Sequence, residues 1–246
     1  MRAKRIFDIA FVVVTLPVTL PLGLLIGLAV FVDSPGPIFY RSVRIGKGGA
    51  PFAMLKFRKM RNEAEGPLLT QANDLRLTPL GRFLTASRLD ELPQIWNILC
   101  GDMRIVGPRP ELPEFVEMYP EEYTEILSVL PGLTGLVQVQ FIDESRHLAQ
   151  RHSACECDSA PCHCMYSKSL MPEKVALDLT YVRHTSLGMD LAIIGRTLSL
   201  PVSVVVKRVM ARLSPLQPAA ALTYAVLALL AIALVGAYAA EAGPLR

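Results

Sequence analysis

From Ile9 to Val32 the chain is almost wholly apolar, a run long enough to span a bilayer as a helix. Two prolines, Pro17 and Pro21, interrupt its middle. Each removes a helix hydrogen bond and crowds the preceding turn, so the pattern predicts a sharp kink. Arg2, Lys4 and Arg5 precede the run, and Lys56, Arg58, Lys59 and Arg61 follow it. Basic residues on both flanks conflict with a simple span, in which they would gather on one side. A helix-break-helix that enters and leaves by the same face resolves both observations; an ordinary kinked transmembrane helix is the plainer alternative. A cleaved signal peptide fits poorly, because the apolar run is too long and no small-x-small site follows.

After the turn Asp33-Ser34-Pro35-Gly36-Pro37 the hydropathy pattern shortens. Ile38–Tyr40 and Phe52–Phe57 read as strands, separated by a basic, glycine-rich loop with Arg44, Gly46, Gly48 and Gly49. Such loops let backbone N–H groups approach phosphate, although most are only turns. Leu80–Ala86 and Leu89–Leu99 read as helices, with Ser87 as N-cap of the second. Val175–Val182 and Asp190–Leu198 read as two more. Val202–Leu213 mixes apolar residues with Lys207, Arg208 and Arg212, which suits an amphipathic helix at a membrane interface. Ser214–Pro218 is a hinge. Ala219–Ala240 is apolar, uncharged and free of proline, and has the length of a true transmembrane helix. The predicted class is α/β, mainly helical with a small sheet. Its expected parts are a membrane segment (1–33), a main domain (34–200) with an insertion at about 140–174, an amphipathic helix and hinge (201–218) and a transmembrane helix (219–240).

Composition sharpens this picture in two ways. At 246 residues, 52% of them hydrophobic, the chain is apolar for a soluble globule, and the excess lies at its two ends. The formal net charge is only +3, yet the basic residues cluster. Clustered cations beside apolar segments suit anionic headgroups or phosphates. Nucleic acid is excluded as a partner, because the balance is nearly neutral and no base-stacking aromatic pattern accompanies it.

The candidate chemistry centres on Asp90 and Glu91. Two carboxylates at the start of a helix are most often a response to its dipole. Adjacent helical residues diverge by about 100°, which argues against a shared-proton pair and for two separate roles. In the first turn of a helix Asp90 would be held ionised. One ionised carboxylate can attack phosphorus, and the other can hold Mg²⁺, which takes hard oxygen ligands and bridges diphosphate oxygens.

Several stretches then carry a resemblance. They are Lys4-Arg5-Ile6-Phe7-Asp8, Arg44-Ile45-Gly46, Lys56-Phe57-Arg58-Lys59-Met60, Leu89-Asp90-Glu91-Leu92-Pro93-Gln94 and Asn97-Ile98-Leu99. Gly101 to Pro110, Pro131-Gly132-Leu133-Thr134-Gly135 and Leu177 to Val182 complete the set. In this order and spacing they resemble the bacterial sugar transferases, the monotopic phosphoglycosyl transferases, over roughly residues 4 to 200. The resemblance implies transfer of a sugar-1-phosphate from a UDP-sugar to a polyprenyl phosphate such as undecaprenyl phosphate, through a covalent aspartyl intermediate with release of UMP. It implies Asp90 as nucleophile, Glu91 as Mg²⁺ ligand, and Arg109, Lys56 and Arg58 as charge-neutralising groups. It also implies a re-entrant N-terminal helix at the bacterial inner membrane with the catalytic domain on the cytosolic face. Downstream glycosyltransferases in exopolysaccharide, O-antigen or glycoconjugate synthesis are the implied partners, and a homodimer is permitted. Three positions depart from the family pattern. Leu20-Pro21 stands where Ser-Pro is common, and Thr85 and Leu130 stand where arginines are common. Arg88, closer to the carboxylate pair, compensates for Thr85 in this reading, and Arg44 adds to the phosphate-facing charge.

The stretch from Val139 to Val175 is set apart by His147, His152, Cys155, Cys157, Cys162, His163 and Cys164. Four thiolates so close together could hold Zn²⁺, but Cys-x-Cys spacing is tighter than most zinc sites use. A zinc site, a plain loop and a redox or regulatory element all stay open. A membrane-anchored adaptor that uses this insertion to bind metal or a partner is the competing function, and a nucleotide-sugar hydrolase is a third.

Overall fold

The computed structural model describes residues 2–62, 74–141 and 170–199. Its first element, helix α1, runs from Arg2 to Asp33. The expected break at Pro17 and Pro21 is not adopted, because α1 stays helical through both. Each proline removes one N–H from the ladder, at the carbonyls of Val13 and Pro17, and the nearby threonine hydroxyls bond other carbonyls. Thr15 Oγ1 donates to the carbonyls of Phe11 and Val12, and Thr19 Oγ1 to that of Thr15.

The flank of α1 that meets the rest of the protein is polar at one end and small or aliphatic at the other. Asp8, buried at 1% exposure, accepts from Arg104 Nε at 3.0 Å and from the Ile105 amide. The Arg5 guanidinium donates to the carbonyls of Ile98 and Leu99. Near the other end, Ile26 and Val30 pack with Phe57 and Leu84. Each buried aliphatic side chain there contributes about 1.5–3 kcal/mol. The opposite flank, with Val14, Val18, Leu24, Leu25, Leu28 and Val32, is exposed and apolar.

Strands β1 (Phe39–Ile45) and β2 (Pro51–Phe57) form an antiparallel hairpin in the register Phe39↔Phe57 to Ile45↔Pro51. Its turn places Gly48 and Gly49 at φ of 70° and 80°, where a side chain is strained. The amides of Gly46 and Gly48 donate to Ala50 and Leu127 carbonyls. The glycine-rich loop is therefore a hairpin turn, with these donors committed to the backbone.

Helix α2 (Pro79–Ser87) is N-capped by Thr78, whose Oγ1 accepts from the Gly81 amide. Ser87, expected to cap the next helix, instead closes α2 and bonds back to Phe83 and Leu84 carbonyls. The expected single helix over Leu89–Leu99 is two pieces. Leu89–Glu91 is one 3₁₀ turn, and α3 (Gln94–Cys100) begins after Pro93. Proline cannot donate to the preceding turn, so the helix restarts there.

Strand β3 (Arg104–Val106) leads through α4 (Pro113–Glu117) and α5 (Pro120–Ile126) to β4 (Gly132–Thr134), parallel to β3, and then to α6 (Leu136–Gln140). Helix α7 (Met171–His184) closes this unit. A core of Phe115, Tyr123, Ile126, Val137, Phe141, Leu170, Met171 and Val175 joins α4 to α7. A second unit begins at Thr185 and carries a helix over 187–199, capped by Ser186 Oγ at the Met189 amide. The described residues are thus mainly helical with two two-stranded sheets. The amphipathic segment, hinge and C-terminal apolar run lie outside them.

Two glycines let β3 and β4 cross closely. A Cβ on Gly132 would lie 2.1 Å from the Gly107 amide nitrogen, and one on Gly107 would lie 2.8 Å from that of Gly132. Gly132→Ala is therefore expected to destabilise the protein by about 3 kcal/mol or more. Thermal unfolding in detergent checks this. A melting temperature within a degree of wild type would show that the crossing tolerates a side chain.

Candidate active site

Asp90 and Glu91 sit in the 3₁₀ turn between α2 and α3. The residue that turns the chain into it is Arg88, at φ 60° and ψ 13°, the one non-glycine residue with positive φ among the described residues. A left-handed conformation at a residue with a Cβ costs roughly 1–2 kcal/mol. Here it redirects the chain so that both carboxylates face β2. The carboxylates are therefore not in the first turn of an α-helix, and the dipole argument for Asp90 does not hold.

Glu91 lies among three cations. Its Oε1 is 3.0 Å from Lys56 Nζ, 3.3 Å from Arg109 Nη2 and 3.9 Å from Arg88 Nη1. Burial alone would favour the protonated acid, but Lys56, Arg109 and Arg88 outweigh it and hold Glu91 far below the ordinary carboxylate range. Lys56, buried in the same contact, is pulled below the ordinary lysine range by desolvation, while Glu91 opposes that shift. Arg88 is half-exposed, so its ion pair adds little to stability.

Asp90 has a different environment. It is 3% exposed, its Oδ2 is 3.7 Å from Lys59 Nζ, and its Oδ1 is buried with no hydrogen-bond partner among the described residues. Desolvation raises its pKa, with Lys59 opposing and the neighbouring Glu91 reinforcing. One carboxylate is thus locked by three cations, and the other keeps an oxygen available. Lys59 reaches Asp90 because its backbone is pressed onto α2, where a Cβ on Gly81 would lie 1.9 Å from the Lys59 carbonyl oxygen.

Asn97 ties this arrangement together from α3. Its Oδ1 accepts from the Leu55 amide at 3.0 Å, and its Nδ2 donates to the Ala53 carbonyl at 2.9 Å. Strand β2, which carries Lys56, is thereby fixed to α3. Arg109 is placed by the β3–β4 crossing and by Asp178 on α7. Asp178 is buried and accepts a backbone hydrogen bond from Arg109; its pKa is raised well above the usual range by desolvation and by Glu111. Glu111 in turn pairs with Lys174 at 2.7 Å and Arg44 at 3.6 Å.

The structure thus brings Lys56, Arg88, Arg109, Asp90 and Glu91 together. It places Arg44 in the adjoining Glu111 cluster, away from the carboxylate pair. Arg58 does not reach the pair either: its guanidinium bonds Ser34 O and Asn62 Oδ1 at the end of α1. Lys59, quoted in the motif but given no role from it, stands where Arg58 was expected. Strand alternation from Lys56 points to Arg58, but β2 ends at Phe57 and the alternation ends with it. Thr85, in the place of a family arginine, bonds the Gly81 carbonyl within α2. Cys155, Cys157, Cys162 and Cys164 lie outside the described residues.

Among the described residues no three His, Cys, Asp or Glu side chains gather as a metal cluster. The Asp90–Glu91 pair nevertheless fits Mg²⁺ in donor type. Two hard carboxylates are present, one oxygen is buried without a protein partner, and Mg²⁺ commonly completes its shell with substrate phosphates and water.

Two outcomes follow from this geometry. Arg88→Gly should be about 1 kcal/mol more stable than Arg88→Ala in chemical unfolding, because glycine adopts the left-handed turn without strain. Equal stability would mean that the backbone at Arg88 is not strained. Asp90→Asn should be no less stable than wild type at neutral pH. The raised pKa of Asp90 means that its ionised form is disfavoured by folding. Its contribution is present below the unfolded value of about 4 and is lost as pH rises through the folded value. The stability difference between mutant and wild type should therefore widen from pH 4 upward, as read by melts across pH.

The chain is similar in sequence to proteins of known description. The family described as "Bacterial sugar transferase" matches residues 1–207. A Caulobacter vibrioides UDP-glucose:undecaprenyl-phosphate glucose-1-phosphate transferase is 37% identical over 199 residues, covering 79% of this chain and 67% of the relative. An Escherichia coli protein of the same description is 34% identical over 199 residues, 79% of this chain and 39% of the relative. An Aeromonas hydrophila UDP-N-acetylgalactosamine-undecaprenyl-phosphate N-acetylgalactosaminephosphotransferase is 32% identical over 200 residues, 79% of this chain and 42% of the relative. The chain therefore spans about two fifths of the length of the last two. With a match that covers most of its length, the chain belongs to the bacterial sugar transferase family.

Proposed function

We propose that the protein is a phosphoglycosyl transferase. It transfers a sugar-1-phosphate from a UDP-sugar to undecaprenyl phosphate or a related polyprenyl phosphate, with release of UMP. The observation that carries this reading is the division of labour between the two carboxylates. Glu91, held by Lys56, Arg109 and Arg88, is too strongly paired to attack phosphorus. Asp90 keeps Oδ1 without a protein partner among the described residues and is the nucleophile. Its attack on the sugar-bearing phosphorus forms a P–O bond to the aspartyl carboxylate and breaks the bond to UMP, which leaves with the electron pair. A phosphate oxygen of the polyprenyl phosphate then attacks the same phosphorus and restores Asp90.

Phosphoryl transfer depends mostly on positioning and charge stabilisation, and Lys56, Lys59, Arg88 and Arg109 supply positive charge around the pair. Mg²⁺, held by Glu91 and the diphosphate, would supply further charge neutralisation there.

Helix α1 brings the lipid side of the reaction. Its apolar flank is exposed, and it is the one helix among the described residues long and apolar enough to cross a membrane. At 1.5 Å per residue it is about 48 Å long. Yet Arg5 and Asp8 near its start and Gly27 and Val30 near its end all touch the same unit. Contact at both ends favours a helix that stays at one face of the membrane, with any bend at Pro17 and Pro21 made without breaking the helix, over a crossing with the domain at one end. The location that follows is the bacterial inner membrane with the catalytic unit on the cytosolic face, as the first membrane step of a glycan pathway. The adaptor alternative rested on cysteines outside the described residues, and no observation favours it.

The test is UMP release from UDP-glucose and UDP-N-acetylgalactosamine, with and without undecaprenyl phosphate, by protein in detergent or nanodiscs. Wild type should turn over only with lipid and Mg²⁺. Asp90→Asn should lose at least about a thousandfold in rate. Without lipid, wild type but not Asp90→Asn should gain the mass of one phosphosugar. Continuous UMP release without lipid would identify a hydrolase instead.

A further inference from the structure

Arg109 stands in a loop whose main chain has few points of attachment. The run is Gly107-Pro108-Arg109-Pro110-Glu111. Proline has no N–H, so between β3 and Glu111 the amides able to donate are those of Gly107 and Arg109. The Gly107 amide is bonded to the Thr134 carbonyl on β4. The Arg109 amide has a side chain as its partner, the carboxyl of Asp178 on α7.

Helix α7 meets this loop through one face. Tyr181 donates its hydroxyl to the Val106 carbonyl at 3.1 Å, Asp178 accepts from the Arg109 amide, and Lys174 Nζ pairs with Glu111 Oε1 at 2.7 Å. Positions 174, 178 and 181 follow at intervals of four and three, which lines them up along the helix. Their side chains are buried, and so is Glu111. The loop is therefore held on both sides of Arg109 and at Arg109 itself. From that base the guanidinium extends to Glu91, 3.3 Å from Oε1.

Asp178 is the member of this face that packing does not account for. It is 2% exposed, its Oδ1 has no hydrogen-bond partner among the described residues, and the Glu111 carboxylate lies close enough to act on it. Burial and Glu111 push its carboxyl well above the usual range, against Lys174 and Arg109. Burying an acid with an unmet oxygen near a second acid is unfavourable, and an aliphatic side chain of similar size would avoid that. Asp178 supplies an acceptor instead, at the residue whose side chain enters the charge cluster around the carboxylate pair. A local rule broken beside a reactive site is characteristic of function rather than of packing.

We propose that Asp178 is a positioning residue: through the Arg109 amide it fixes where the Arg109 guanidinium stands, and so sets the rate of phosphosugar transfer. This rests on the phosphoglycosyl transferase reading. Transfer of a phosphoryl group depends on charge placed where it develops, and a displacement of about 1 Å can slow a reaction about a hundredfold. The requirement is for an acceptor oxygen and not for a negative charge. Asparagine meets it, and leucine, of similar size, does not. The effect passes through Arg109, because Lys56 and Arg88 reach Glu91 from other elements.

The experiment measures UMP release by the full chain in nanodiscs at saturating UDP-sugar and undecaprenyl phosphate. Wild type, Asp178→Asn and Asp178→Leu are compared, each with Arg109 present and in an Arg109→Met background. With Arg109 present, Asp178→Asn should keep kcat within about threefold of wild type, and Asp178→Leu should lower it about 10- to 100-fold. In the Arg109→Met background, Asp178→Leu should change the remaining rate by less than about threefold. Asp178→Asn should melt no lower than wild type, because it keeps the acceptor and removes the buried acid. Should Asp178→Leu fail to fold, Tyr181→Phe removes only the hydroxyl at Val106. Its kcat should fall about 3- to 10-fold with Arg109 present and by less than about twofold without it. An equal loss in both backgrounds would overturn the proposal, because it would assign Asp178 to the fold in general. An Asp178→Asn protein as slow as Asp178→Leu would overturn it too, by assigning the effect to charge. If wild type releases no UMP from any UDP-sugar, the transferase reading fails and takes this role with it. An active wild type with a folded, equally fast Asp178→Leu variant sinks the positioning role alone.

Discussion

A carboxylate that is removed from water needs compensating charge, and at Glu91 three different elements provide it. Lys56 comes from β2, Arg88 from the turn after α2, and Arg109 from the loop after β3. None of these elements is large, and neither two-stranded sheet would stand alone. The buried anion makes them one body, because an uncompensated charge in such a place is strongly destabilising. The same arrangement sets the reactivity of its neighbour. With three cations drawn to Glu91, Asp90 is left with Lys59 at 3.7 Å as its ion-pair partner among the described residues and with an unmatched oxygen.

Much of this was legible in the chain. Asp90, Glu91, Lys56, Arg88 and Arg109 were identified from motif and spacing, and they converge. The helix around Leu80–Ala86 and the strand at Phe52–Phe57 were visible because their apolar periodicity is local. The resemblance implied a charge-neutralising role for Arg58, but its guanidinium bonds Ser34 and Asn62 and does not reach the pair, a tertiary placement that the motif does not encode. Ser87 looked like a cap because serine before an acidic pair is a common helix start, but Arg88 adopts a left-handed turn that no sequence pattern announces in a non-glycine residue. The Glu111–Lys174 pair joins positions 63 apart in the chain, and such contacts leave no trace in local composition. Lys59 had a faint signal, since it stands in the same basic run as Lys56.

Glycine organises the site as much as charge does. Gly107, Gly132 and Gly135 allow one backbone to press on another, and Gly81 allows Lys59 to settle on α2. In each case the missing Cβ is replaced by main chain from a neighbouring element. Close backbone contact lets short elements hold charged groups in fixed positions. It also explains why the sequence motifs around the site are rich in Gly and Pro.

Helix α1 approaches the site more closely than an anchor needs to. At Gly23 a Cβ would lie 3.8 Å from Leu92, the residue that follows Glu91, so the helix and the 3₁₀ turn are separated by one side chain. The height of the carboxylates above the apolar flank of α1 is therefore fixed by packing, without a flexible tether. An acceptor of the proposed kind, confined to a bilayer, diffuses in two dimensions, and its phosphate travels at a constant level. A site held rigidly at that level turns the encounter from a search through volume into a search along a surface.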